Sequence, residues 1–131
     1  MKATVNWQSG MKFVGETDSG KCIKMDGEGS QASPMEAVLL AVGACSSIDV
    51  VEILKKSRQA ITGCECQLDA QRADEAPRVF TEIHAHYVVS GENLSEKHVQ
   101  RAVQLSAEKY CSVMLMLEGK VKITTSFTIQ P

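Results

Sequence analysis

Residues 33–56 read SPMEAVLLAVGACSSIDVVEILKK, and this stretch decides the fold. Ser33 is a good helix N-cap. Pro34 suits the first helical position, where a missing N–H costs nothing, and Glu36 stands three residues after Ser33, the spacing of a capping box. From Met35 to Cys45 the residues are apolar almost all the way round. A helix of that composition must be buried on every side. From Ser46 onward, Asp49, Glu52, Lys55 and Lys56 interrupt Ile48, Val51 and Leu54. The pattern predicts one long helix, about residues 34–58, running from a dry interior out to solvent. A chain of 131 residues has too little mass to surround such a helix completely. The helix therefore points to a dimer whose core contains it.

Upstream, Val5 and Trp7 alternate with polar neighbours. Residues 2–8 and 11–17 read as two strands around a Gln8-Ser9-Gly10 turn, followed by a short strand at 22–26 and the loop Asp26-Gly27-Glu28-Gly29-Ser30. Downstream, residues 62–72 and 78–90 alternate as two long strands joined by a turn at Asp74-Glu75-Ala76-Pro77. In the first of these, Cys64, Cys66, Leu68 and Ala70 share one face. In the second, Ile83, Ala85, Tyr87 and Val89 share one face, with Glu82, His84 and His86 on the other. A second helical region starts near Ser95, with Val99, Ala102, Val103, Ser106 and Tyr110 as its apolar stripe. A nearly all-apolar run from Cys111 to Leu117 follows, and Gly119 ends it. A last strand spans about 120–130. Strand runs segregated from helices indicate an α+β fold in one domain, residues 1–131.

Bulk properties exclude several function classes. The net charge is −2, from 14 basic and 16 acidic residues, with no block of like charge. Aromatic residues make up 5%. Neither feature suits a nucleic-acid or membrane-surface partner. The run Ala37 to Cys45 is too short to span a bilayer. The opening Met1–Trp7 has no apolar targeting core. The reading is a cytoplasmic protein.

The five cysteines, Cys22, Cys45, Cys64, Cys66 and Cys111, do not form a secreted disulfide framework. In a reducing compartment they are buried apolar residues or working thiols. Cys64 and Cys66 read as core residues of a strand, and Cys22 as structural. A zinc site built from Cys64, Cys66, His84 and His86 is disfavoured, because the strand phases put sulfurs and imidazoles on opposite faces. No metal and no cofactor is expected. Cys45 and Cys111 lie where a polar helix meets an apolar one, shielded yet reachable. A reactive thiol there needs a cation from elsewhere in the fold, since the thiolate is the nucleophile. Asp49, one turn on from Cys45, reads as pointing to solvent.

Ser33-Pro34-Met35-Glu36, then Gly43-Ala44-Cys45 on the same helix, and Glu108-Lys109-Tyr110-Cys111-Ser112 resemble the OsmC/Ohr family of organic hydroperoxide reductases and osmotically inducible proteins, in detail its YhfA-type subgroup. The resemblance covers the whole chain. It implies an OsmC-like α+β fold, with antiparallel sheets packed on long central helices in an intertwined homodimer. It implies Cys45 as the residue that attacks a peroxide and Cys111 as the one that resolves the sulfenic acid into a disulfide, with a dithiol as reductant. Two tuning groups of the family stand differently here. Met35 occupies the position of its glutamate, with Glu36 one residue on. No arginine precedes Arg58, so Lys12, Lys21 or Lys24 would have to supply the charge. Apolar surroundings of both cysteines favour a bulky, lipid-like organic hydroperoxide. Two other readings stay open on the same pair: a module that binds a hydrophobic small molecule, with Met35, Met114 and Met116 lining its pocket, and a redox sensor.

Overall fold

The computed structural model describes residues 1–131, which form two compact units, Met1–Leu40 and Ala41–Pro131. In the first unit, β1 (Ala3–Ser9), β2 (Lys12–Thr17) and β3 (Cys22–Asp26) make an antiparallel three-stranded sheet. The register places Val5, Trp7, Phe13, Ile23 and Met25 on one face. Val5, Trp7 and Ile23 on that face remain exposed, at 60, 65 and 64%. Gly10 makes the β1–β2 turn possible: its φ of +52° is costly for any residue with a Cβ. Asp26 closes the unit's last loop. Its carboxylate accepts from the Ser30 hydroxyl and from the backbone N–H groups of Glu28 and Ser30, which holds its pKa below the ordinary carboxylate value.

Helix α1 (Pro34–Lys56) begins as its sequence dictates. The Glu36 N–H donates to Ser33 Oγ at 3.1 Å, and the Ser33 N–H donates to Glu36 Oε1 at 2.9 Å. At the other end Arg58 adopts a left-handed φ of 59°. The Gln59 N–H then reaches back to the Leu54 carbonyl at 2.9 Å, a cap usually built on glycine. The helix is not buried on every side within one chain. Val42, Val50 and Leu54 are fully buried, but Val38, Leu40 and Ile48 are exposed. It is 23 residues long and holds an 18-residue window of mean hydropathy 2.0, which is long and apolar enough to cross a membrane. The shorter run from Ala37 to Cys45 did not suggest this. Its inner side instead carries Ser46, whose hydroxyl is hydrogen-bonded into a folded core.

In the second unit, β4 (Ala60–Arg72), β5 (Phe80–Glu92) and β6 (Lys122–Gln130) form a sheet in that order. β4 and β5 are antiparallel, but β5 and β6 are parallel. A parallel neighbour needs a long crossover, and the helical segment between them supplies it. That segment is not one helix. It consists of α2 (Glu96–Leu105), a π turn (Ser106–Tyr110) and α3 (Ser112–Leu117). Ile83, Ala85, Tyr87 and Val89 of β5 are 1% exposed or less and form the floor of the core, under Val42, Val50, Leu54, Val99 and Ala102. Gly43 lets α1 lie close on β4: a Cβ there would sit 2.7 Å from Leu68 Cδ1.

The opposite face of the sheet is polar. Thr124, His84, Ser126, His86 and Thr128 form one continuous hydrogen-bonded chain, with links of 2.6, 2.8, 2.6 and 2.9 Å. The register sets Cys66 opposite Tyr87 and Gln67 opposite His86, so the sulfurs and imidazoles lie on opposite faces, as their strand phases require.

Candidate functional site

Cys45 sits on α1 and is half-buried, while Cys111 lies at the junction of the π turn and α3 and is fully buried. The two thiols lie close enough for each to influence the ionisation of the other. Burial pushes the Cys111 thiol up to about 11. The Met114 N–H, which donates to Cys111 Sγ at 3.4 Å, opposes that rise, and the neighbouring Cys45 adds to it. Cys111 therefore keeps its proton at neutral pH. In such a pair the second proton is harder to remove than the first, because its loss would set two negative charges side by side.

The π turn aims Cys111. Ser106 is the inward residue of the stripe begun by Val99, Ala102 and Val103, and a regular helix would bring Tyr110 inward next. The π turn carries one more residue. The Cys111 N–H donates to the Ser106 carbonyl, five residues back, at 2.8 Å. Tyr110 consequently turns outward, 55% exposed, and Cys111 takes its place in the core.

A buried hydroxyl network surrounds the pair. Tyr87 Oη donates to Ser46 Oγ at 2.6 Å, and Ser46 Oγ donates to the Val42 carbonyl at 2.8 Å. Ser106 Oγ shares its single proton between two acceptors, the Ser46 carbonyl and Asp49 Oδ2, each at 3.0 Å. Asp49 thus does not point freely to solvent. A buried hydroxyl needs a partner, and a half-buried carboxylate one helical turn from Cys45 provides it. Tyr87, Ser46 and Ser106 were not identifiable as site residues from their spacing. The one available signal was polar residues on apolar stripes, which must find each other when buried.

Cys64 and Cys66 are half-buried on β4, with Ser47 as a shared polar neighbour. Burial raises both thiols above their ordinary value, and Ser47 partly offsets this. Cys66 also adjoins Tyr87. Cys22 is not buried: it opens β3 as an exposed thiol. Glu36 is engaged in the helix cap, which lowers its pKa through the Ser33 N–H and hydroxyl. Lys12, Lys21 and Lys24 are exposed on the β2–β3 hairpin of the first unit. Of the methionines, Met114 is buried, Met35 half-buried and Met116 exposed. An open, mainly apolar groove of about 290 Å³ runs along α1, lined by Ala44, Ser47, Ile48, Val51, Glu52 and Cys64.

Residues 27–126 match the family model described as OsmC-like protein. The chain is 54% identical to protein YhfA of Escherichia coli K12, over 98% of each. A hypothetical protein from Aquifex aeolicus VF5 superposes with a TM-score of 0.90 at 32% identity, covering 98% of this chain and 95% of that one. An organic hydroperoxide resistance protein from Elizabethkingia anophelis shares the fold, with a TM-score of 0.74 at 14% identity over 98% and 94% of the two chains. A family match over most of the chain and a near full-length relative at this identity make the protein a member of the OsmC/Ohr family.

Proposed function

We propose that this chain is a cysteine-dependent reductant of organic, lipid-like hydroperoxides. The observation that supports this reading best is the adjacency of two thiols from distant segments with unequal burial, Cys45 half-open and Cys111 closed. The more open of the two residues, Cys45, meets the substrate. The Cys45 thiolate attacks the peroxide O–O bond and takes one oxygen, giving a sulfenic acid, while the other oxygen leaves as the alcohol with a proton. The Cys111 sulfur then displaces hydroxide from Cys45, which departs as water, and a disulfide forms. An external dithiol returns both electrons and both protons.

The working unit in this reading is a cytoplasmic homodimer of single OsmC-like domains. The exposed Val5, Trp7 and Ile23 of the first sheet and Leu40 and Ile48 of α1 support it, because a second copy would cover apolar area that a monomer leaves in water. Glu36, Lys21 and Lys24 are supporting candidates at most. Each has a structural role or an exposed position that explains it without chemistry.

The absence of any arginine before Arg58 favours a second reading, a binding or redox-sensing protein without turnover. One experiment separates the two. The protein is mixed with cumene hydroperoxide, and the Cys45 products are followed by mass spectrometry. The peroxidase reading expects oxidation at least a hundredfold faster than free cysteine, loss of that rate in Cys45→Ser, and accumulation of sulfenic acid in Cys111→Ser. Oxidation at the rate of free cysteine would sink it and leave the second reading.

A further inference from the structure

The two sulfurs come from segments 66 residues apart in sequence. Something must fix their separation, because a disulfide tolerates a narrow range of geometry. We propose that Ser106 is the positioning residue of the pair: its side chain anchors the π turn to α1 one residue past Cys45, and its backbone holds Cys111. The proposal rests on reading Cys45 and Cys111 as a redox pair.

The connection is a short closed circuit. Ser46 follows Cys45 directly, and its carbonyl accepts from Ser106 Oγ at 3.0 Å. The Ser106 carbonyl accepts from the Cys111 N–H at 2.8 Å. One fully buried serine thus links the backbone beside one sulfur to the backbone beneath the other. Asp49 reinforces the anchor. Its Oδ2 lies 3.0 Å from the same hydroxyl and shares that single proton with the Ser46 carbonyl, so both acceptors hold the π turn to one stretch of α1. Tyr87 steadies the receiving side through Ser46 Oγ at 2.6 Å. A plain packing role for Ser106 would need neither partner, since alanine fills nearly the same space. What the hydroxyl adds is a fixed orientation, and therefore a higher effective concentration of one thiol at the other.

The test measures the thiol–disulfide equilibrium and does not depend on peroxidase activity. The full-length protein is equilibrated with mixtures of reduced and oxidised glutathione. The protein dithiol gives two electrons and two protons to the glutathione disulfide, whose S–S bond breaks into two thiols as the Cys45–Cys111 bond forms. Samples are trapped by alkylation and the Cys45–Cys111 peptide is quantified by mass. Ser106→Ala should shift the equilibrium roughly tenfold toward the dithiol, about 30 mV. Asp49→Ala, a milder change at a half-exposed residue, should shift it about threefold and carries the test if Ser106→Ala does not fold. Val99→Ala, a cavity in α2 away from the circuit, should lower denaturant stability and leave the equilibrium within about twofold. Shifts under twofold in both circuit variants, or an equal shift in Val99→Ala, would overturn the proposal. A parent protein that forms no Cys45–Cys111 disulfide at any glutathione ratio would instead overturn the redox-pair reading beneath it.

Discussion

The two faces of β5 solve the same problem in opposite ways. The inner face, Ile83 to Val89, is dry, and the single polar atom it presents, Tyr87 Oη, has one well-placed partner in Ser46. The outer face carries His84 and His86, each of whose ring nitrogens meets a hydroxyl of β6. The outer bonds lie near water, which replaces any that is lost. The inner bonds have no substitute, because an unpaired polar group there costs its full desolvation. Position in the sheet, more than the number of hydrogen bonds, decides which network can hold a reactive group in place.

Three measurements sharpen this contrast. The largest effect should come from alkaline pH. Burial raises the Cys111 thiol from its ordinary value of 9.0 to about 11 in the folded chain. Between those values the unfolded chain loses its proton first, so the folded state loses stability as pH rises, on the order of 2 kcal/mol. Denaturant melts at pH 8 and pH 10.5 should show the loss, and Cys111→Ala should remove its share, leaving the part due to Cys64, Cys66 and Tyr87, which burial also raises. An unchanged slope in that variant would assign the effect elsewhere. Tyr87→Phe removes one inner-face donor and should cost about 1 kcal/mol in the same melts. His84→Ala breaks two outer-face bonds yet should stay within about 0.5 kcal/mol. A larger cost for His84→Ala than for Tyr87→Phe would reverse the comparison.

Much of this was legible in the sequence. The capping box at Ser33 and Glu36 is local chemistry, and the structure contains both of its hydrogen bonds. The strand faces follow from period-two alternation, which fixes Cys66 with Tyr87 inside and His86 outside. Other features depend on partners far along the chain. Nothing near Asp49 announces Ser106, 57 residues away, and a lone aspartate on a helix otherwise reads as solvated. The parallel pairing of β6 with β5 depends on how the intervening helices cross over, which their own periodicity does not encode. The apolar circumference of α1 signalled burial, but not that a single chain leaves Leu40 and Ile48 in water.

The π turn at 106–110 acts as a one-residue gear shift. Ahead of it the helical face is set by Val99 and Ser106, and behind it every side chain is rotated by one position. What faces Cys45 is therefore decided by the number of residues in the turn as well as by their identity. Relatives that keep every side chain in this region but differ by one residue in length would present a phenol, not a sulfur, to the same place.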